Sequence, residues 1–296
     1  MKCLIIGGNR FVGLRVSLLL EKIKGIELHI VNRTGQAPHC RSAVIHKSDR
    51  RDLARAHLDR DWDLVFDFAC YDQAQAESTL NFFSRVDRYI FISSMMVYDL
   101  GSGRSEDDFD PFKVDLKTAP DPTASPEAKY KTGKQRAEAG FLQSQKFPTV
   151  CVRFPFIVGP DDYTQRMEFH VEHVRHQEPI HLPNPKAKIS LIHAQDAADF
   201  LIWAQAQKFT GPANMASPKP VALKDLIQQI ELAVGTKAVL TADSSPETDS
   251  PYGVTNDLTL DCTRMTKAGF SARPVAEWLP ELIGLPSSAP RGSRIH

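Results

Sequence analysis

None of the five cysteines in this 296-residue chain forms a C-x-x-C pair, so neither a disulfide framework nor a redox motif is in view. Cys3, Cys40, Cys70, Cys151 and Cys262 are scattered, and three of them fall inside apolar strand-like runs. That usage points to reduced, packed thiols and a cytoplasmic setting. Charge of either sign is not in excess: lysine plus arginine and aspartate plus glutamate count 36 each. No overall field therefore favours nucleic acid or an anionic membrane, and neither partner is expected. No apolar run approaches the length of a membrane span, and the chain enters a strand at its second residue, so no signal peptide is expected. Internal repeats are missing too, which leaves one large domain or two intimate ones with a sizeable core.

Alternation is what the sequence does have. Short apolar runs at 2–7, 27–32, 43–47, 63–69, 88–93 and 148–153 read as strands buried on both faces. Segments near 11–24, 51–58, 71–85 and 127–144 carry apolar residues at three-to-four spacing and read as helices. Strand and helix in turn imply right-handed crossovers and a parallel sheet. Residues 99–126 break the rhythm. Rich in Asp, Pro, Gly and Ser, they read as a mobile surface loop near the C-terminal strand ends, either a lid or an idle acidic insertion.

The first strand runs straight into Gly7-Gly8-Asn9-Arg10-Phe11-Val12-Gly13. Such a turn presents backbone N–H groups and a helix N-terminus to a pyrophosphate. Against G-x-x-G-x-x-G it keeps Gly7 and Gly13 but carries Arg10 in the middle slot, where a guanidinium can itself grip phosphate. An ordinary strand-to-helix turn is the competing reading. The second strand ends in Asn32-Arg33, about twenty residues on, where the residue that reads the adenosine ribose belongs. A cation there suits the extra phosphate of NADP, so NADP is favoured over NAD, although a solvated loop charge fits Arg33 as well. Asp49-Arg50 after the third strand offers a carboxylate to an adenine amine, or a cap for the helix starting at Arg51.

Tyr130 and Lys134 lie four apart, which on a helix stacks them on one face. An ammonium beside a phenol lowers the phenol's pKa toward working pH and equips it for proton transfer. Y-x-x-x-K alone is weak; here it follows a strand ending in Ser93-Ser94-Met95-Met96-Val97-Tyr98, whose serine can donate to the same substrate oxygen or merely cap the strand.

Gly7–Gly13, Asp49–Asp52, Ser93–Tyr98, Tyr130–Lys134, Arg153-Phe154-Pro155 with Gly159-Pro160, and Leu191-Ile192-His193 with Asp196 stand in the order of extended short-chain dehydrogenase/reductases. The match resembles the NAD-dependent epimerase/dehydratase family, and the GGNRFVG turn is similar to the GGTRF-type branch that includes the chloroplast stem-loop-binding proteins. The resemblance implies an α/β fold, a Rossmann-type doubly wound parallel sheet (1–155 and about 194–217) with a smaller C-terminal substrate-binding lobe (about 156–193 and 218–296). It also implies a homodimer pairing the helices near 71–85 and 127–144. It makes Ser94, Tyr130 and Lys134 catalytic, with Lys134 also holding the nicotinamide ribose. The backbone N–H groups of Phe11 and Val12 serve the pyrophosphate. Phe68, Ala69 and Cys70 line the cofactor floor, Pro155 and Phe156 pack near the nicotinamide, and Gly7, Asn9, Arg10, Gly13, Asn32, Arg33, Asp49 and Arg50 complete the cofactor side.

Departures from the family pattern narrow the chemistry. Where dehydratases carry an Asp-Glu pair this chain has Met95-Met96, so dehydration is not expected. The positions that hold a substrate diphosphate in sugar-nucleotide epimerases read Ile189 and Asp249-Ser250-Pro251-Tyr252, without arginine. Met95, Phe156 and Arg166 remain as substrate-side candidates, Arg166 with the competing role of a surface charge at the next helix. His170, His173 and His176 cannot converge on one ion from a helix, since the first and third point about 120° apart; no metal is expected, and a solvated face pairing with Glu168 and Glu172 is the better account. His193 reads as a structural hydrogen bonder. The expected function is NAD(P)-dependent hydride transfer on a sugar or small carbonyl/alcohol substrate, as reductase or epimerase. The alternative is a non-catalytic dinucleotide sensor or an RNA-binding relative.

Overall fold

Apolar residues at successive positions of the first strand divide between two layers: Cys3 and Ile5 enter one core cluster, Leu4 and Ile6 the other. The period of two along a strand sends alternate side chains to opposite faces, and here both faces are covered. In the computed structural model, which describes residues 1–56 and 58–284, that strand is β1 (Lys2–Ile6). Residue 57, within the helix expected at 51–58, and residues 285–296, at the end of the expected second lobe, lie outside the described residues. After β1 come α1 (Phe11–Glu21), β2 (Glu27–Asn32), β3 (Val44–Lys47), β4 (Leu64–Asp67), α2 (Gln73–Phe82), β5 (Tyr89–Ser94), β6 (Gly101–Arg104), α3 (Pro126–Ser144) and β7 (Thr149–Phe154). The order β7-β5-β4-β1-β2-β3 is parallel throughout.

One expected helix is not formed. Residues Arg50–Ala56 make only a 3-10 segment interrupted at Asp52, whose φ of −138° is extended. Ser48 Oγ donates to the Asp52 carbonyl at 2.5 Å, diverting an acceptor that a helix would use.

The chain continues through β8 (Phe156–Val158), α4 (Arg166–His176), β9 (Pro179–His181), β10 (Lys188–Ile189), β11 (Leu191–His193) and α5 (Ala194–Gln205) to β12 (Gly211–Asn214). β12 returns to pair parallel with β7 as the seventh strand, while α5 shares a core layer with α1. β13 (Val221–Ala222), α6 (Leu223–Val234), β14 (Val239–Thr241), β15 (Leu258–Leu260), α7 (Thr263–Lys267) and α8 (Val275–Gly284) follow. A separate cluster running from Val158 to Ile283 packs α4, α6 and α8 together.

The segment expected to be a mobile loop is anchored instead. β6 joins a four-stranded sheet ordered β13-β10-β15-β6. Beyond it, the fully buried Arg153 donates to the carbonyls of Glu106 and Phe109 while paired with the fully buried Glu138 at 2.7 Å. Gln143 Nε2 then donates to the carbonyls of Pro111 and Val114, and Arg136 to those of Asp115 and Leu116. Gln73 of α2 also reaches the Leu116 carbonyl, at 3.1 Å. Four loop carbonyls thus find donors on helix side chains, which lays Pro111–Leu116 along α3 as a strap.

Candidate active site

Backbone sterics build one end of the site. Gly7 and Gly8 have φ of +91° and +76°, left-handed values that favour glycine. A Cβ on Gly8 would stand 2.3 Å from Ile5 Cγ2, and one on Gly13 2.3 Å from the Gly8 Cα. At Gly7 a Cβ would press on Phe68 Cβ at 3.3 Å, so the segment after β4 closes over the turn. Phe11 opens α1 with φ +49°, and its first turn carries no acidic side chain and no side-chain cap. The first-turn N–H groups of α1 therefore face outward as donors. This glycine-only cradle fits a dinucleotide. Gly8, absent from the expected set, is as necessary to it as Gly7 and Gly13.

Several expected cofactor contacts are otherwise engaged. Arg50 is turned inward, donating to the carboxylate of the fully buried Asp67, to Thr79 Oγ1 at 2.9 Å and to the Gln75 carbonyl. The Asn32 amide is spent on its own loop, accepting from Thr34 and Gly35 at 2.8 Å each and donating to the Gln36 carbonyl. Asp49 is exposed and caps the turn through the Arg51 N–H. Cys70 buries its thiol, whose pKa is pushed up to about 12, and offers only its carbonyl. Arg10 and Arg33 are exposed, Asn9, Phe68 and Ala69 are half-buried, and Pro155 and Val12 are buried.

At the other edge of the cleft, α3 brings Tyr130 to the end of β5, close enough to the Ser94 hydroxyl for it to hold the phenol's pKa down. Ser94 also accepts from the Met96 N–H at 3.2 Å, which turns the chain into a short 3-10 segment. Lys134, one turn along, is almost fully buried and donates to the carbonyls of Cys70 at 2.6 Å and Ile92 at 2.9 Å, between the rings of Tyr71 and Phe91. Burial lowers its pKa to about 8. α3 comes this close because of Gly133, where a Cβ would stand 2.3 Å from the Tyr71 carbonyl. A glycine inside a helix costs about 1 kcal/mol relative to alanine, so its presence between Tyr130 and Lys134 is a signal that could have been read.

The expected tuning of the phenol runs the other way. Burial raises the pKa of Tyr130 above its ordinary value; Ser94 and the Arg166 charge pull it down, and the Lys134 ammonium, committed to two carbonyls, is not among the groups acting on it. Tyr130 is 38% exposed, so solvent at the cleft mouth tempers the upward push. The phenol is neutral at pH 7.

Beyond Tyr130 the cleft is lined from the second lobe. Arg166 is the first residue of α4, with its guanidinium 5.7 Å from the Phe156 ring centre and one hydrogen bond to Thr164 Oγ1 at 3.1 Å. Arg15 of α1 pairs with Asp161 at 2.6 Å and ties this loop to the glycine-turn helix. Met95 does not face a substrate: it is buried among Val97, Tyr98, Ala216, Leu258 and Leu260, and Met96 is the partly exposed neighbour. Two of the three histidines are buried rather than solvated. His170 bridges the Arg166 carbonyl and Ser250 Oγ, at 2.7 Å each, and His173 bridges the carbonyls of Phe169 and Glu247, while only His176 pairs with Glu172. His193 caps α5 through the Gln195 N–H and meets Arg273.

Comparison with known proteins bears on the family and the fold. The model of the NAD dependent epimerase/dehydratase family matches residues 3–216. The chloroplast stem-loop binding protein of 41 kDa b from Arabidopsis thaliana is 28% identical over 217 residues, 67% of this chain and 53% of that one, so the match spans about half of that relative's length. Among solved structures, the Bacillus cereus UDP-glucuronic acid 4-epimerase in complex with UDP-glucuronic acid and NAD superposes with a TM-score of 0.71 at 15% identity, covering 96% of this chain and 99% of that one. The Thermus thermophilus UDP-glucose 4-epimerase complexed with NAD gives 0.65 at 14% identity, covering 92% and 94%. These two likenesses establish the fold. With a family match over residues 3–216, most of its length, the chain belongs to the NAD dependent epimerase/dehydratase family.

Proposed function

We propose that this protein transfers hydride between a nicotinamide dinucleotide and one carbon of a sugar or other small polar carbonyl/alcohol substrate, as a reductase or an epimerase and not a dehydratase. The observation that carries this reading is the approach of Ser94 to Tyr130 at the end of β5, one helical turn from Lys134, whose ammonium reaches the Cys70 carbonyl in the segment that also closes over Gly7. A bound dinucleotide supplies the hydride acceptor or donor. Tyr130, neutral at pH 7, gives its proton to a carbonyl oxygen during reduction and takes one during oxidation, while the Ser94 hydroxyl aligns the same oxygen. Lys134 has three N–H donors and spends two, which leaves one for a ribose hydroxyl. Met95 and Met96 carry no titratable group for eliminating water.

On the adenosine side the exposed Arg10 and Arg33 support NADP over NAD. Gly7, Asn9, Phe11, Val12, Gly13, Phe68, Ala69 and Pro155 belong to the same assignment, with Phe156 and Arg166 toward the substrate and Asp49 at the adenine. Homodimerisation through α2 and α3 is part of the proposal, and its contact has to include the Pro111–Leu116 strap. A cytoplasmic setting fits four buried free cysteines. The Arabidopsis relative's name supports a second reading, stem-loop RNA binding, against which the balanced charge stands.

Cofactor that co-purifies is identified by mass spectrometry; with free sugars, sugar nucleotides and simple alcohols, net reduction of NAD and NADP is then followed by absorbance and inversion of a carbinol centre, which leaves the cofactor unchanged, by NMR of the product. Turnover with at least one alcohol, lost in Tyr130→Phe, is expected. Cofactor binding without turnover on any of them, together with tight stem-loop RNA retention on filters, would favour the second reading.

A further inference from the structure

Tyr252 is fully buried, yet its hydroxyl has no hydrogen-bond partner among the described residues. Asp162 is in the same condition: Oδ1 accepts from the Thr164 N–H and Oγ1, at 2.9 and 2.6 Å, while the buried Oδ2 has no partner. Unmet buried polar atoms are rare in folded proteins because each forfeits its hydrogen bonds to water. Both groups feel the same third charge, Arg166, which also acts on the Tyr130 phenol. Arg166 is joined to both orphaned groups, to Asp162 through Thr164 Oγ1 and to Tyr252 through the Phe156 ring. Its place is poor for stability, because a cation at the first residue of a helix opposes the dipole.

The surroundings hold these groups still. The Tyr252 ring lies parallel to His170 at 5.1 Å and edge-on to Phe156 at 5.0 Å, and Phe156 also carries Arg166 at 5.7 Å. His170 in turn is fixed at both nitrogens. A rigid wall with a donor, an acceptor and a fork of N–H groups is suited to adjacent hydroxyls. The charges of Asp162 and Arg166 cancel, and a diphosphate here would meet a carboxylate with a single cation in compensation.

We propose that Asp162, Arg166 and Tyr252 form a hydroxyl-binding subsite at the end of the substrate cleft, selecting a free sugar or other neutral polyol over a nucleotide sugar. This rests on the hydride-transfer reading of the same cleft and names its substrate class.

The test uses the full-length protein loaded with oxidised dinucleotide and a panel of free hexoses, pentoses and alditols beside UDP-glucose. Dissociation constants come from ligand-observed NMR, and turnover from cofactor absorbance together with NMR detection of the epimerised sugar. At least one uncharged panel member binds the wild type, and Tyr252→Phe and Asp162→Asn each weaken it about tenfold, the scale of a hydrogen bond to a charged group. Dinucleotide affinity stays the same in both variants. Binding of UDP-glucose in preference to every neutral polyol, no binding by any of them, or affinities indifferent to both substitutions each overturn the subsite. The two readings fail separately. Turnover with UDP-glucose keeps hydride transfer and removes the subsite, whereas Tyr252-dependent sugar binding without turnover keeps the subsite and removes hydride transfer.

Discussion

The two ends of the cleft are made by different means. At the glycine turn, backbone meets backbone: no side chain fits at Gly8 or Gly13, and the main-chain N–H donors that open α1 carry no side-chain cap. At the Tyr252 end, the groups are side chains drawn from a loop, a helix start and a distant turn, with polar atoms left unmet. The first end depends on shape and tolerates little change of any kind. The second depends on chemistry that one substituted atom alters. A common cofactor and a variable substrate call for that division of labour.

Tyr130 belongs to both ends, and its loss should have the largest effect. Tyr130→Phe keeps the ring and removes the proton carrier, with an expected fall in turnover of about 10²- to 10⁴-fold and dinucleotide affinity unchanged. Steady-state rates beside a fluorescence titration of cofactor decide it; rates near wild type separate the tyrosine from the chemistry. Because burial holds the phenol's pKa above its ordinary value, oxidation in the wild type should also quicken as pH rises through neutrality while reduction holds steady.

His170 next distinguishes the regions by pH. Burial lowers its pKa from 6.5 to about 4, so between those values the unfolded chain binds a proton that the fold refuses. Stability then drops as pH falls from 6.5 toward 4, by about 3 kcal/mol, and at pH 7 the group costs nothing. Urea unfolding of wild type and His170→Phe at pH 7 and pH 5 measures it. The substitution should flatten the slope, and equal slopes would show that the histidine is protonated in the fold.

A smaller effect probes the shape-dependent end. Gly13→Ala places a methyl 2.3 Å from the Gly8 Cα, backbone that cannot swing aside, at a cost of about 1–3 kcal/mol and the loss of cofactor binding. Gly25→Ala is the control, since its Cβ would meet nothing within 4 Å and only the φ of +81° is strained. Thermal melts with and without dinucleotide should show a ligand shift in the control and none in Gly13→Ala.

The sheet and the glycine turn were legible because they depend on local pattern: apolar runs, glycine spacing and the period of a helix. Tyr130 and Lys134 were placed by the same means, on the one helix turn their spacing implied. What local pattern cannot report is where a long side chain goes. Arg50 sits beside the residue expected at the adenine, yet Asp67, seventeen residues on, draws it under the sheet. Asn32 turns to its own loop, and Met95 sinks into a core cluster completed by Leu258 and Leu260. The Tyr252 subsite joins residues about ninety positions apart, beyond any motif. The phenol's pKa was misjudged for the same reason, because Lys134 has three N–H groups and the carbonyls of Cys70 and Ile92 claim two of them.

The smallest expected effect concerns a single charge at the mouth of the cradle. Asn32 spends its amide on Thr34, Gly35 and Gln36, and so holds still the loop from which Arg33 projects into solvent. An exposed guanidinium gains little from a neutral ribose hydroxyl and more from a phosphate dianion, by about the 1.5–3 kcal/mol of a charged hydrogen bond less solvent screening. Arg33→Ala should therefore weaken NADP about tenfold and leave NAD within about twofold. Calorimetry of both dinucleotides at two salt concentrations reads this directly, because the NADP loss shrinks as salt rises. Equal losses for the two would mean that Arg33 touches the shared part of the cofactor, and the chemistry-dependent end of the cleft would then be the only one that discriminates between ligands.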